Sequence, residues 1–581
     1  MSCSSCTCLS AVHKLQLNTV NKKSEINIIV MDYRELQEKI NHARMTDDAL
    51  PPLEFNDFKE LLSERSNDDR SYLTYIDKND NRVELSYAEF YQQVRNCARL
   101  LQNHGLTRGD RVATISHNHW HTVVQYYASW LLGLVVVPIN LGEDDERISY
   151  ILENGNVELG FVRTDYRDRF RNILESYDNL KNIEWIVCEE DIETFTRTDG
   201  TLELPEGSLA ESEALIVFTS GTTGAPKGVV LSQRNLLEDA RSIADWHNIN
   251  RDTRMMCVLP IHHVNGTVVT LITPFYAGGS TVLNRKFRTS RYFQLIAEEQ
   301  IHIVSMVPTL LQFLNNYYED RDRPETPTLR HVICGAGPLT VKVAETFEER
   351  LGVPIIHGYG LSETTCYSCF VPVDIDRDEH NKWRSEYGYP SIGVPIPANE
   401  MAIHDEDGNE LDENERGEIV IRGVNVMIEY YNNKEANEDT FKNGWFRSGD
   451  EGFYIKDDED RKYFFITGRL KELIIRGGVN LAPLEIDEVI NKAPGVKAGI
   501  AVGFENDWYG EEVGAYVKLE EGANETEEEI LAFCREKLPF SKSPKVIVFG
   551  DQIPVTSTGK YQRRKVTHHF EEWKDVQFKE S

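Results

Sequence analysis

The sequence predicts an α/β protein with a large N-terminal domain and a small C-terminal α+β domain joined by a hinge. Helix and strand signals alternate from residue 33 to about residue 360, which is typical of parallel strands connected by helices. After Pro390 the segments become shorter and more strand-like. From Lys471 onward, strands mix with one clear helix, and no long low-complexity linker precedes this part. These observations divide the chain into residues 32–470 and 471–581.

The first strong helix signal is a capping box. Ser86 and Glu89 are spaced so that the hydroxyl accepts from first-turn N–H groups while the carboxylate reaches back. Apolar residues then recur at helical spacing, and Gly105 ends the pattern. The strands predicted after this helix are residues 111–116, 134–139, 214–217, 418–422, 463–467, 499–502 and 513–519, and the clear helix of the small domain is residues 526–537.

The charge balance limits the classes of partner. The chain has 581 residues and a formal net charge of −32, with 40% hydrophobic and 27% charged residues. That composition supports a large core without disulfides or metals. The negative charge argues against nucleic-acid binding, which relies on lysine and arginine to neutralise phosphates. Any anion site in this chain must therefore create its own local positive potential.

The cysteines and the N-terminal segment favour a cytoplasmic protein. Residues 1–31 lack a basic stretch followed by an apolar one, so we expect a disordered extension and not a secretory signal. The longest apolar run, residues 130–139, is about half a membrane span and contains Pro138, so no transmembrane segment is expected. Two clusters lack the regular paired spacing of a zinc site: Cys3, Cys6 and Cys8 with His13, and Cys366 with Cys369.

A loop at residues 218–228 carries the strongest chemical signal. It follows the apolar strand 214–217 and combines glycines, hydroxyl side chains and a lysine. Glycines let backbone N–H groups approach an anion, hydroxyls add donors, and Lys227 adds charge, as a triphosphate requires. Gly228 after Lys227 excludes a Walker A loop, which needs Ser or Thr there. The candidate phosphate-binding residues are Thr219, Ser220, Gly221, Thr222, Thr223, Gly224 and Lys227.

This loop resembles the phosphate-binding signature of the acyl-adenylate-forming superfamily, which includes acyl-CoA ligases, peptide-synthetase adenylation domains and firefly-type luciferases. Four further segments resemble motifs of that superfamily in the same order: residues 357–363, 444–450, 468–472 and 554–560. On these five ordered motifs the chain is identified as a member. The resemblance implies the multi-sheet large domain of adenylate-forming enzymes, followed by a small mobile domain.

The resemblance also implies how ATP is held. Tyr359 would stack on the adenine, and Asp450 would accept from the two ribose hydroxyls, with Ser448 standing where threonine is usual. Glu363 and Thr219 would hold Mg²⁺, since a magnesium ion shared with phosphates prefers hard oxygen ligands. The further nucleotide-binding residues that it implies are Gly335, Ala336, Gly358, Gly360, Ser362, Arg469 and Lys471.

The implied reaction has two half-reactions in one site between the domains. Lys560 would be the catalytic lysine, stabilising the charge that develops as a carboxylate attacks the α-phosphate of ATP. The small domain would then rotate about Lys471. That rotation would bring residues 477–480, including Gly478, to the site as a tunnel for the thiol of CoA.

The acid site is the least defined part of the resemblance. Residues 259–266 resemble the segment whose histidine flanks the acyl group, and the register favours His263 over His262. Residues 307–309 and 335–339 match further segments near the bound acid. Their glycines and alanine leave space, and no basic residue within them pairs a second carboxylate. The expected substrate is therefore an apolar monoacid, a medium- or long-chain fatty acid.

Several readings stay open at this level. Loading of a separate acyl carrier protein would use the same adenylate but a different acceptor. A non-catalytic nucleotide-binding regulator is disfavoured because Lys560, Glu363, Asp450 and Arg469 occur together. A luciferase-like oxygenase has no support from the sequence beyond the shared fold. The oligomeric state, including a homodimer, is not determined by any of these patterns.

Overall fold

The computed structural model describes residues 33–47, 50–188, 201–219, 226–555 and 561–579. The predicted N-terminal extension and the cluster of Cys3, Cys6, Cys8 and His13 lie outside these residues. Cys366 and Cys369 are both buried and unpaired by disulfide. In the part of the chain that is described, no three His, Cys, Asp or Glu side chains are grouped as a metal site requires.

The strands are numbered β1 to β25 in chain order. They are Ser71–Ile76, Arg82–Ser86, Arg111–Ile115, Val135–Pro138, Val157–Val162, Glu184–Val187, Glu213–Thr219, Lys227–Ser232, Arg254–Cys257, Ser280–Asn284, Ile303–Met306, His331–Cys334, Ile355–Tyr359, Cys369–Phe370, Val394–Pro395, Asn399–His404, Gly417–Gly423, Glu429–Tyr430, Phe446–Lys456, Lys462–Arg469, Ile474–Arg476, Val479–Leu481, Val496–Asn506, Gly510–Leu519 and Val546–Phe549.

The α-helices alternate with these strands in the first half of the chain, as predicted. They are Tyr33–Ala43, Phe58–Arg65, Tyr87–Asn103, Trp120–Leu132, Asp145–Asn154, Arg167–Ser176, Gln233–Trp246, Thr273–Ala277, Tyr292–Glu298, Pro308–Tyr317, Val341–Leu351, Arg377–Ser385, Lys434–Thr440, Pro483–Ile490 and Glu527–Lys537. The capping box of Ser86 and Glu89 is formed, so the predicted start of the third helix is confirmed. Within the described residues, no helix is long and apolar enough to cross a membrane.

Four sheets organise the molecule. A nine-stranded sheet has the order β15-β14-β13-β12-β11-β9-β10-β1-β2, and a seven-stranded sheet has the order β18-β8-β7-β4-β3-β5-β6. Their central pairs, such as β11–β12 and β3–β4, are parallel. A four-stranded antiparallel sheet, β16-β17-β19-β20, follows, and β21 to β25 form the sheet of the small C-terminal part. The α/β fold with a large and a small domain is therefore confirmed.

One continuous core joins the two large sheets. It contains Leu73 of the nine-stranded sheet and Val136 of the seven-stranded sheet, together with apolar residues of helix Gln233–Trp246. Most residues of that helix are buried, and several of the buried ones are polar. Aromatic contacts add to the packing: the ring of Phe58 stacks on Trp130 with centroids 4.5 Å apart.

The small C-terminal part rests on the helix Val341–Leu351. The Lys342 ammonium donates to the carbonyl oxygens of Asn491 (3.1 Å) and Val496 (3.4 Å). The Val341 N–H donates to the Glu488 carboxylate at 3.1 Å. These polar contacts hold one orientation of the small part against the large one. The exact domain boundary at residues 470 and 471 stays a prediction.

Candidate active site

A cavity of about 880 Å³ lies where the carboxyl ends of several strands meet the small C-terminal part. Parallel sheets bind ligands at this edge because the loops after the strands converge there. Tyr359 ends β13 and Thr219 ends β7, so strand termination places both at the wall. The predicted site residues that line the cavity are Thr219, Lys227, His263, Ala336, Gly358, Tyr359, Gly360, Ser362, Glu363, Asp450, Arg469 and Lys471.

The remaining predicted residues fall into three groups. Gly335 is buried behind the wall, next to Ala336. Gly478 lies on an exposed turn between β21 and β22 and does not line the cavity in this orientation. Outside the described residues lie Ser220, Gly221, Thr222, Thr223, Gly224 and Lys560, so their predicted roles stay predictions.

The predicted phosphate-binding loop lies between β7 and β8, which pair as an antiparallel hairpin. Thr219 pairs with Lys227 across β7 and β8, so both ends of the loop are fixed at the cavity wall. The Thr219 hydroxyl donates to the Lys227 carbonyl oxygen at 3.4 Å. The Lys227 ammonium stands 4.6 Å from the centre of the Tyr430 ring, a cation–π contact that steadies the lysine. The hairpin therefore presents a hydroxyl and a cation at the base of the loop.

The predicted ribose site is a three-residue cluster. Asp450 and Arg469 are cross-strand partners on β19 and β20, and Arg469 Nε lies 3.1 Å from Asp450 Oδ1. The Tyr359 hydroxyl donates to Asp450 Oδ2 at 2.6 Å. Burial, and then the charge of Asp450, raise the pKa of Tyr359, so this phenol stays protonated. The Asp450 carboxylate in turn raises the pKa of Arg469.

Ser448 orients the Asp450 carboxylate by a hydrogen bond with the backbone N–H of Asp450. Its hydroxyl accepts from the Asp450 N–H at 3.0 Å and donates to the Ile419 carbonyl oxygen at 2.6 Å. A threonine has the same hydroxyl, so the substitution at this position preserves the hydrogen bonds. The departure from the expected motif therefore leaves the carboxylate in place.

Glu363 has a partner that sequence reasoning missed. The Tyr430 hydroxyl donates to Glu363 Oε1 at 2.8 Å, and the same ring supports the Lys227 ammonium. Burial, and then Glu363, raise the pKa of Tyr430, which keeps it a donor. Tyr430 lies in no motif, and its only signal is a position shortly before the ribose segment. The carboxylate of Glu363 and the hydroxyl of Thr219 are hard oxygen donors on one wall, which fits Mg²⁺.

Two glycines of the adenine segment are required by packing. A Cβ atom at Gly358 would lie 2.3 Å from the Phe370 ring, and one at Gly360 would lie 2.1 Å from the Cys366 carbonyl oxygen. The Phe370 ring is fully buried and the Cys366 carbonyl belongs to the backbone, so neither can withdraw without disturbing the packing. These two glycines therefore allow the end of β13, which carries Tyr359, to pack closely against its neighbours.

The predicted acyl histidine has a neighbour on the same wall. Both His262 and His263 line the cavity, with ring centres 4.3 Å apart. Their loop is clamped by Asn118, whose amide donates to the Leu259 carbonyl oxygen (2.8 Å) and accepts from the Ile261 N–H (2.9 Å). Desolvation lowers the pKa of His262 well below its ordinary value, so its imidazole is neutral. Asn118 lies far away in sequence, which is why the motif did not reveal it.

The small C-terminal part contributes cations to the same cavity. Residues 561–565, which directly follow Lys560, line the wall, and Arg563 is anchored by the buried Asp487 at 3.0 Å. Desolvation raises the pKa of Asp487, while the Arg563 charge opposes that effect. The cationic residues on the wall are Arg147, Lys227, Arg447, Arg469, Lys471, Arg563, Arg564 and Lys565. Acidic residues share the wall with them, namely Glu143, Glu363, Glu418, Asp439, Asp450, Glu472, Asp487 and Glu488, so the local positive potential stays a prediction.

Comparison with known proteins identifies this arrangement. Residues 63–431 match the AMP-binding enzyme family, and residues 485–560 match the AMP-binding enzyme C-terminal domain. The chain therefore belongs to the AMP-binding enzymes of the acyl-adenylate-forming superfamily.

Individual relatives agree with this assignment. The chain is 32% identical to a sulfoacetate–CoA ligase of Cupriavidus necator over 470 residues, which cover 80% of this chain and 88% of the relative. It is 30% identical to an oxalate–CoA ligase of Arabidopsis thaliana over 502 residues, covering 84% and 94%. ATP-bound MatB from Rhodopseudomonas palustris superposes with a TM-score of 0.79 at 25% identity, covering 89% of this chain and 99% of MatB.

Proposed function

We propose that the chain is an AMP-forming acid–CoA ligase that joins a carboxylic acid to CoA through an acyl-adenylate. The observation that carries this proposal is the convergence of Thr219, Lys227, Glu363, Asp450 and Arg469 on one cavity, which residues 561–565 close from the other side. The family assignment supports adenylate formation. The CoA ligases among its relatives support CoA as the acceptor.

In the first half-reaction, an oxygen of the substrate carboxylate attacks the α-phosphorus of ATP. A bond forms between that oxygen and phosphorus, the bond to the bridging oxygen of the β-phosphate breaks, and pyrophosphate leaves. Asp450 holds the ribose, and Lys227 at the base of the loop faces the phosphates. Lys560 stabilises the negative charge that develops between acid and α-phosphate. Mg²⁺, when held by Glu363 and Thr219, supplies positive charge to the departing phosphates.

In the second half-reaction, the thiolate sulfur of CoA attacks the acyl carbon, and AMP leaves as the thioester forms. Residues 561–565 of the small part, which follow Lys560, line the cavity, whereas Gly478 is exposed to solvent. That orientation suits the first step. A rotation about Lys471 would exchange the two faces for the second step.

The test is AMP and pyrophosphate release from ATP across a panel of acids, from acetate to long-chain and aromatic acids, each with and without CoA. Turnover to AMP that requires both an acid and CoA supports the ligase. If an acid supports pyrophosphate exchange but adding CoA gives no turnover, the acceptor would be an acyl carrier protein and not CoA. ATP binding that no acid converts to products would point to a nucleotide-binding regulator.

The identity of the acid needs a separate argument. The sequence favours a medium- or long-chain fatty acid, and such a chain needs an apolar channel leading away from His262 and His263. Two relatives, at 32% and 30% identity, are named for sulfoacetate and oxalate, both short acids, whereas a relative at 28% identity is named for long-chain fatty acids. The wall behind the two histidines is the part of the structure that bears on the choice between these acids.

A further inference from the structure

A buried layer of neutral polar side chains lies behind the segments that carry the wall residues His263 and Ala336. Asn265 lies two residues after His263, where the chain forms π-helical turns over Asn265–Ile272. The Ser305 hydroxyl donates to Asn265 Oδ1 at 2.6 Å, and the Asn265 amide donates to the Tyr367 hydroxyl at 3.1 Å. We propose that these three residues, called the polar floor, close the acid site and make the enzyme specific for short carboxylic acids of about the size of acetate to butyrate. This inference rests on the proposed acid–CoA ligase function.

The polar floor is continuous with the cavity wall. Gly335 precedes the wall residue Ala336, and a Cβ atom at Gly335 would lie only 2.6 Å from the Tyr367 hydroxyl. The space that glycine was expected to leave for an acyl chain is therefore filled by the phenol of Tyr367. Asn265, Ser305 and Tyr367 are 6%, 0% and 1% exposed, and none of the three lines the cavity.

The polar floor is held rigidly from behind. The Tyr367 N–H donates to the buried Asp239 carboxyl at 3.4 Å, and its carbonyl oxygen accepts from the Asn425 amide at 3.0 Å. The Tyr367 ring packs on Phe370 with centroids 4.4 Å apart. A swing of Tyr367 would break this packing and leave the Asn265 amide buried without its partner, which is unfavourable. The polar floor therefore acts as a fixed wall and not as a gate.

Besides the rigidity of the polar floor, its hydrogen bonds are an obstacle to an apolar acyl chain. A long acyl chain placed behind His263 would have to separate Asn265, Ser305 and Tyr367 and replace their hydrogen bonds with methylene contacts. Buried polar groups that lose their partners regain nothing from such contacts. A short acid, in contrast, ends before it reaches the layer. The discrimination should therefore act on chain length and should rise sharply once the chain reaches the polar floor.

The test measures binding without turnover. Isothermal titration calorimetry would compare acyl-sulfamoyl-adenosines, stable mimics of an acyl-adenylate, that carry acetyl, butyryl, octanoyl or dodecanoyl groups. We expect Kd to rise about tenfold or more between the butyryl and octanoyl compounds. Equal or tighter binding of the octanoyl or dodecanoyl compound would overturn the polar floor as the limit. Because no CoA or turnover is involved, this outcome is independent of whether the proposed ligase reaction occurs.

A pair of matched variants locates the effect. Tyr367→Ala should open the layer and improve octanoyl binding relative to acetyl binding by about tenfold. Tyr292→Ala removes a phenol that is equally buried, 1% exposed, and bonded to Met306 and not to the polar floor, so it should leave the ratio unchanged. Near-ultraviolet circular dichroism checks that both variants are folded. A folded Tyr367→Ala protein with the wild-type ratio would contradict the proposal, and the wild-type series tests it without any variant.

Discussion

The two sides of the cavity use polar side chains in opposite ways. On the nucleotide side, Asp450, Arg469 and Glu363 are charged groups at the wall with further capacity for a ligand. Asp450 contacts both Arg469 and Tyr359, and Glu363 contacts Tyr430. On the acyl side, Asn265 and Tyr367 bond to each other and stand back from the wall. Charged groups with open capacity bind a polar ligand, whereas neutral groups that satisfy one another form a wall. The difference predicts separate consequences of mutation on the two sides.

The largest expected effect is on the nucleotide side. Lys560→Ala should lower the rate of acyl-adenylate formation by about 10²- to 10³-fold, because it removes a cation from the developing charge. Thioester formation from supplied acyl-AMP should be largely preserved. Rapid-quench measurement of each half-reaction gives the two rates. Lys574→Ala, which removes an exposed lysine paired with Glu505, is the control and should change neither rate. An equal loss of rate in both half-reactions would contradict the proposal that Lys560 acts mainly in acyl-adenylate formation.

The ribose cluster should give the next largest effect. Asp450→Asn keeps the shape of the side chain but removes the charge that pairs with Arg469, and it weakens acceptance from two ribose hydroxyls. We expect KM for ATP to rise by about ten- to a hundredfold, since hydrogen bonds to charged groups contribute about 1.5 to 3 kcal/mol. Initial rates at saturating acid and CoA measure it.

Tyr359→Phe is the matched comparison for this cluster. It keeps the aromatic face that would stack on adenine and removes only the hydroxyl that donates to Asp450. The increase in KM for ATP should stay below about tenfold, because the Asp450 carboxylate keeps its charge and its contact with Arg469 when this one hydrogen bond is lost. A larger effect for Tyr359→Phe than for Asp450→Asn would show that the phenol, and not the carboxylate, organises the ribose site.

The same contrast explains what the sequence could predict. Thr219 lies in a loop whose residue types indicate phosphate binding, whereas Glu363, Asp450 and Arg469 were predicted from the resemblance of their motifs to the superfamily. All four line one cavity. The alternation of helices and strands predicted an α/β architecture with parallel strands, and the resemblance implied a large domain with several sheets. These features are local, because a strand end or a hairpin fixes each motif.

The residues that sequence reasoning missed act across long separations. Tyr430 supports both Lys227 and Glu363, and Asn118 clamps a loop more than a hundred residues away. Tyr367, which precedes β14, fills the space beside Gly335, which follows β12, although β13 lies between these two strands in the sheet. A glycine in a motif shows that room is needed, but not whether a ligand or a side chain of the protein occupies it. The expectation of a long acyl chain had this ambiguity.

The Asn118 clamp gives a smaller, mainly structural prediction for the acyl side. Asn118→Ala would leave the Leu259 and Asn284 carbonyl oxygens and the Ile261 N–H without this partner. We expect a loss of about 2 to 4 kcal/mol in stability and about a tenfold higher KM for the acid, because the loop carrying His263 is released.

Urea unfolding and acid-dependent kinetics measure the two effects. The control is Asn154→Ala, which removes an exposed amide bonded within its own helix and should stay within about 0.5 kcal/mol. An Asn118→Ala protein with unchanged KM for the acid would show that the histidine loop is positioned by other contacts.

The smallest expected effect concerns the carboxyl group that docks the small part. Burial raises the pKa of Glu488 to about 7, and the group is 6% exposed. A carboxyl whose pKa is higher in the folded state binds its proton more tightly there, so stability falls as pH rises from about 4.5 to about 7. Glu488→Gln removes this penalty of about 2 to 3 kcal/mol and keeps an acceptor for the Val341 N–H. The variant should match the wild-type Tm near pH 5 and exceed it near pH 8. An equal Tm difference at both pH values would contradict a raised pKa of Glu488 in the docked state.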